Sequence, residues 1–369
     1  MHNKKCSFVV VALFAAVALT ACGGGGGTST ASTAAPAPAP TPVPAPAPAP
    51  APAPVNPDLV TSVTPATYAA GTVEKGAWDV LMAERAACGF GLLQQDSRLD
   101  VASHAHAKYL ADLSISTGTF VVGHYEDATK PGFTGVYAWD RAIAQGWPNN
   151  QVGENVFAQQ AFHASTSGDQ IPMSEAQGAT SQRWLLTTVY HLAGSMLDTR
   201  SGGVGSDHAS GPYAATAGYT LEDYRFGELF AFSASVNNPQ KLGTGVVATY
   251  PCASATHASA SWVPANEQPN PFPDVTGTSV AYGTPVFLKV DAGSVLMVTS
   301  AVITRQSDGV PIATRQVTKA NDPVGEVGAN EFFVVPTAAL TAGTTYSVTV
   351  AGTVDGAAFT KIFTFTPAA

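Results

Sequence analysis

The sequence predicts an α+β fold, with helices and strands mixed over residues 58–240 and an all-β segment over 241–369. Three observations predict it. Apolar residues recur at helical spacing in four stretches before about residue 200. Val-, Tyr-, Phe- and Ala-rich runs follow at 214–219 and 228–236. From about Gly243 helical periodicity ends, and short β-rich runs alternate with turn residues.

The chain starts with a processing segment. Lys4 and Lys5 precede an apolar run from Phe8 to Leu19, and Leu19-Thr20-Ala21 leads into Cys22. This is the layout of an export signal, here residues 1–21, and the run is shorter than the roughly 20 residues that span a bilayer. Leu-Thr-Ala-Cys resembles the lipobox of bacterial lipoproteins. The resemblance implies cleavage before Cys22 and lipidation of its thiol. With Gly23 next rather than an acid, it also implies retention at the outer membrane of the cell envelope. Residues 22–57 turn Gly-rich, then Ser/Thr/Ala-rich, then nearly pure Pro-Ala. Such a stretch buries no core and favours extended polyproline II at about 3.1 Å per residue, so it reads as a stalk.

Glu74 to Ala87 places Trp78, Leu81, Met82 and Arg85 on a helix that Gly89 ends. Leu99, Ala102, His106, Tyr109, Leu110 and Leu113 predict a second helix over about 98–114, capped by Asp96 or Ser97. His106 falls on its apolar stripe, the place of a hydrogen-bonded core histidine. A short helix is predicted over 136–145, with Thr134 as cap and Gly146 as stop. Trp184, Leu185, Thr188, His191, Leu192, Ser195 and Met196 form one helical face. Beyond Gly243, runs at 246–250, 285–290, 295–304, 332–335, 346–350 and 359–365 predict a two-sheet sandwich. Leu340-Thr-Ala-Gly-Thr-Thr-Tyr-Ser-Val-Thr-Val-Ala-Gly resembles the late hairpin of bacterial immunoglobulin-like domains.

The formal charge is −9, and −11 once Lys4 and Lys5 leave with the signal, with 15 basic against 26 acidic side chains. Such a balance argues against nucleic acid as a partner. With Cys6 in the signal and Cys22 lipidated, only Cys88 and Cys252 remain in folded sequence. In an oxidising compartment these two are expected to bond, against the alternative of two buried thiols.

Sharp catalytic motifs are missing: no zinc helix, no C-x-x-C pair, no nucleophile elbow, no phosphate loop. What remains is His124 with Glu126 in Gly-His-Tyr-Glu, Glu154 in Gly-Glu-Asn, and His191. Two imidazoles and a carboxylate are the donor set of a divalent metal such as zinc, or of general acid–base work, if the fold brings them together. Glu126 either joins that cleft or points to solvent.

The order of the pieces resembles the CAP superfamily, the cysteine-rich secretory, antigen 5 and pathogenesis-related proteins. They are Glu84-Arg85 with Gly-Leu-Leu after it, Leu99-x-x-Ala-x-x-x-His106-Ala-x-Tyr109, Gly-His124-Tyr-Glu126, Gly-Glu154-Asn, and Trp184-x6-His191 followed by Gly203-Val-Gly. The resemblance implies an α-β-α sandwich for this segment and a shallow cleft lined by a His, Glu, Glu, His tetrad. By motif His124, Glu154 and His191 take three of those places. Where the family has its other acid, shortly after the tryptophan, this chain has Leu186, Thr187 and Thr188.

These expectations describe a lipid-anchored envelope protein whose cleft binds an apolar ligand, a peptide or an envelope-polymer fragment, with a zinc-type site at His124, Glu154 and His191. A hydrolase of peptides or envelope polymers is the rival expectation, and a structural or adhesive protein the third. The rival needs His124 or His191 as base, yet no nucleophile is visible in the sequence.

Overall fold

The computed structural model describes residues 58–232 and 238–368. The expected export signal, the lipidation site Cys22, the stalk and the end of the 228–236 run lie outside the described residues. Among the described residues no helix is long and apolar enough to cross a membrane.

The first two helices form where the spacing places them. In α1 (Val73–Cys88) the Thr72 hydroxyl accepts from the Lys75 amide, and Gly89 ends the helix at φ 76°, a conformation glycine adopts without steric cost. In α2 (Ser97–Thr117) Asp96 accepts from the Arg98 amide. The third, α3 (Ala138–Ala144), is shorter than expected. Thr134 is not its cap. Its hydroxyl donates to Glu126 instead, while the Tyr137 amide donates to Asp140 Oδ2 at 3.1 Å. The single helical face expected over 184–196 is broken into α4 (Glu175–Leu185) and α5 (Tyr190–Ser195). The break has a local cause: the Thr187 and Thr188 hydroxyls donate to the carbonyls of Trp184 and Leu185, at 2.6 and 3.0 Å, in competition with the helix ladder.

Four strands form one sheet in the order β1-β3-β4-β2: β1 (Gln94–Gln95), β2 (Val152–Ala164), β3 (Ser201–Pro212) and β4 (Tyr219–Ala231). β1 runs parallel to β3 and the rest is antiparallel, which leaves β2 as an edge. Alternation along the strands divides the packing between two faces. Val152, Leu229 and Ala231 pack with Leu99 and Ala102 of α2, beside α3. Val204, Phe226 and Phe230 pack with Trp78 and Leu81 of α1 and Leu185 of α4. Helices therefore cover both faces.

The remaining strands are β5 (Ala248–Tyr250), β6 (Val286–Lys289), β7 (Leu296–Arg305), β8 (Thr314–Thr318), β9 (Glu331–Pro336), β10 (Tyr346–Val354) and β11 (Ala357–Phe365). They form two sheets, β5-β6-β9-β8 and β11-β10-β7, around a core that includes Leu288, Ile303, Val334, Val348 and Phe363. Six of the seven fall on the expected runs. The exception, β8, is Thr-Arg-Gln-Val-Thr with one buried residue, and carries too little apolar signal to read.

The α+β and all-β segments share a core. Phe90, Leu186, Leu192 and Met196 pack in one cluster with Tyr250, Trp262, Phe287 and Phe333. A disulfide between Cys88 and Cys252 ties the end of α1 to the residues after β5, across a sequence separation of 164. Gln240, at the expected boundary, accepts from the Val60 amide at 2.8 Å and donates to the carbonyls of Leu92 and Thr199 at 2.8 and 2.7 Å.

A candidate ligand cleft at the sheet edge

The Gly-Glu-Asn stretch lies on the edge strand β2, and its residues alternate. Glu154 faces the α2 side of the sheet with its register partner Leu229, and Asn155 faces the other side with Glu228. On the α2 side Arg141 of α3 donates to Glu154 Oε1 at 2.6 Å, and His124 Nδ1 lies 3.1 Å from Oε2. His106 Nε2 stands 3.8 Å from the same Oε2. Burial would push this carboxyl up. The charge of His106, the hydrogen bond from His124 and the Arg141 guanidinium outweigh it and hold it near about 2. Glu154 is thus a buried carboxylate with both oxygens engaged.

On the other side Asn155 ties β2 to α5. Its amide donates to the His191 carbonyl at 2.8 Å and to Glu228 Oε2 at 2.9 Å. His191 Nδ1 lies 3.0 Å from the Thr188 hydroxyl and 3.3 Å from Glu267 Oε1. Because that hydroxyl gives its proton to Leu185, Nδ1 carries the imidazole hydrogen and Nε2 is left as the acceptor. In its neutral form His124 likewise presents Nε2 as an acceptor, since its Nδ1 faces a carboxylate.

The layers open onto two cavities. The first, about 690 Å³, is lined by His124, His191, Val122, Val156, Phe157 and Trp184, with Asn266 and Gln268 from the C-terminal segment. The second, about 550 Å³, is bordered by His124, Glu154 and His191 together, and by Tyr125, Tyr137 and Trp139. The three residues singled out from the sequence therefore border one hollow, and both histidines border its neighbour too.

Glu126 does not join them. It borders neither cavity and is buried behind the loop, where it pairs with His106 at 3.0 Å and accepts from the Thr134 amide and hydroxyl. Its carboxyl is lowered, because the His106 and Thr134 hydrogen bonds exceed the penalty of burial. Both the cleft role and solvent exposure are excluded for it. His106 is the hydrogen-bonded core histidine its position predicts.

The expected zinc-type site does not fit these side chains. Among the described residues no group of three or more His, Cys, Asp or Glu is placed to hold a metal ion. The Arg141 guanidinium already supplies the positive charge that a cation would bring to Glu154, whose two oxygens are taken by Arg141 and His124.

Three groups escaped the sequence reading. Arg141 sits in a short helix where a charged residue looks solvated. Glu267 supplies a carboxylate beside His191, the kind of group missing after Trp184. It accepts from the Val189 and Tyr190 amides at 3.0 and 2.6 Å, and nothing local marks it, since it comes from 76 residues away. Glu228 did carry a signal: it is two residues from both Phe226 and Phe230 and so shares their face, and a strand there must bury it. Burial pushes its carboxyl up to about 7, against hydrogen bonds from Asn155, Ser195 and Gln182 and the charge of Arg85.

No family model matches the chain, and no curated protein matches it. Among solved structures, PcoC, a copper resistance protein from Escherichia coli, is similar at 18% identity and a TM-score of 0.21, over 32% of this chain and 94% of its own. A likeness that slight carries no argument about this chain.

Proposed function

We propose that this chain is a CAP-superfamily lipoprotein of the bacterial cell envelope, with a C-terminal immunoglobulin-like sandwich, and that it acts by binding an apolar ligand in the cleft at the edge of β2. Support for the family comes from the ordered motifs: Gly-Glu-Asn lies on the central sheet, and His124 and His191 arrive from the layers on its two sides. One observation carries the binding reading. The first cavity sets Val122, Val156, Phe157 and Trp184 beside His124 and His191, and although either imidazole can act as a base, among its lining residues there is no serine, threonine, cysteine or lysine to serve as nucleophile. A concave site that sets apolar walls beside a set of convergent polar groups is a usual form of a small-molecule site, and here His124, His191, Asn266 and Gln268 are the polar part.

The test is fluorescence titration with the uncharged probe N-phenyl-1-naphthylamine. Val122 is exposed at the mouth of this cavity, so Val122→Asp places a charge there without disturbing the core. Micromolar binding that weakens at least tenfold in the variant, at unchanged melting temperature, supports the reading. No binding, or equal binding by both proteins, removes it.

A further inference from the structure

The second cavity carries chemistry that an apolar ligand does not use. Tyr125 is 67% exposed beside it, and Tyr137 is 39% exposed. The Tyr137 and Trp139 rings stack 4.4 Å apart, and Tyr125 meets Tyr137 edge-on at 5.4 Å. Large aromatic rings in water beside a concave site cost hydrophobic free energy, and three of them in mutual contact form an apolar shelf that a ligand can cover. Around this shelf stand polar groups with no protein hydrogen bond among the described residues: the side chains of Gln268 and Glu326, and the Nε2 acceptor of His124.

We infer that this shelf is a saccharide subsite, which takes an uncharged pyranose unit of an envelope glycan with its C–H face on the aromatic rings. The inference deepens the proposed binding role of the cleft and rests on it. A pyranose has an apolar face of C–H groups ringed by hydroxyls, each both donor and acceptor. The rings offer the complementary apolar face. The Glu326 carboxylate and the His124 Nε2 accept from hydroxyls, and the Gln268 amide does both. Two alternatives fit less well. A quaternary ammonium needs a gap between facing rings, and rings stacked at 4.4 Å leave none. An acidic sugar would meet Glu326, Glu331 and Glu154 in a cavity that offers it no unpaired cation, because Arg141 is spent on Glu154.

The experiment uses the folded chain with its disulfide intact and a panel of short neutral oligomers of glucose, galactose, mannose and N-acetylglucosamine. Binding is followed by calorimetry and tryptophan fluorescence, with tetramethylammonium and an oligogalacturonate as charged controls. At least one neutral oligomer binds saturably, and Tyr125→Ala and Glu326→Ala each weaken it at least fivefold. Both positions are exposed, so the fold is expected to survive. Binding of N-phenyl-1-naphthylamine is unchanged in the two variants, which separates this subsite from the first cavity. If the probe binds and no neutral oligomer does, if both variants bind sugar like the parent, or if a charged control binds in its place, the saccharide assignment is overturned. Sugar binding without probe binding would instead overturn the apolar reading and leave the shelf standing.

Discussion

Glu154 and Glu228 stand on neighbouring strands of one sheet, both with buried side chains, and their surroundings drive them in opposite directions. On the α2 face Glu154 has Arg141, His124 and His106 around it, and stays ionised down to about pH 2. On the face toward α4 and α5, Glu228 has mainly the neutral donors Asn155 and Ser195, with Arg85 contributing only at a distance, and holds its proton up to about pH 7. The contrast teaches what burial alone cannot. An acid in a dry site stays charged only where a cation is built next to it. The charged face is also the one whose acid borders the cleft, so the ion pair orients His124 at the ligand cavity while the protonated acid only braces α5.

The largest expected effect follows from cutting the pair. Arg141→Ala leaves a buried carboxylate without its guanidinium, and the loss of one partner of a buried pair costs about 3–5 kcal/mol. Glu228→Gln replaces a group that is already neutral below pH 7 with another neutral one, and is expected to stay within about 1 kcal/mol there. Urea unfolding of both variants at pH 6 checks this. Equal losses would show that the faces do not differ as described. The double variant Arg141→Ala with Glu154→Gln should recover part of the loss, since the Glu154 charge is then gone, but not all of it, since the buried Glu126 carboxylate 3.9 Å from Arg141 Nε still loses a partner.

The second test separates the faces by pH. Glu154 has a folded pKa below its unfolded value, so its contribution is present above about pH 4.5 and is lost as pH falls toward about 2. Glu228 has a folded pKa above its unfolded value, so the native state holds the extra proton between about pH 4.5 and about 7. Stability therefore declines as pH rises through that window. Each excursion is on the order of 3 kcal/mol. Measured against wild type, Glu228→Gln should gain relative stability from pH 4.5 to 7, and Glu154→Gln should recover its deficit from pH 4.5 to 2. Flat difference curves would refute the assigned proton locations.

How much of this was legible follows the same division. Apolar spacing placed α1 and α2 to within about three residues, and Gly-Glu-Asn and Trp-x6-His drew attention to Glu154 and His191 because those side chains reach the cleft. Glu267 and Arg141 were invisible, since the contacts that define them join residues far apart in sequence or turn a charge inward from a short helix. The β2 strand, where Glu154 sits, is not among the strands the sequence predicts, although its register with β4 runs unbroken from Val152 to Ala164. β3 was hidden for a different reason. Ser-Gly-Gly-Val-Gly-Ser reads as a turn, because glycine is scarce in strands and common in loops.

Those glycines sit there because one face of β3 lies directly under a helix backbone. A Cβ at Gly205 would stand 2.2 Å from the His104 amide nitrogen, and one at Gly203 2.5 Å from that of Asp100, both in α2. Gly202, one residue away on the opposite face, would place its Cβ 3.1 Å from the Leu93 side chain and 3.3 Å from that of Trp78. Side chains can give by a few tenths of an ångström, whereas a helix backbone must move as a body. Gly205→Ala is therefore expected to cost about 1–3 kcal/mol and to push α2 off the sheet, and Gly202→Ala to cost less than about 1 kcal/mol. Because α2 carries His106, which stands beside Glu154, the first substitution should also weaken probe binding in the cleft and the second should not. If both alanine variants melt together and bind the probe alike, the close approach of α2 is not what fixes glycine in this strand.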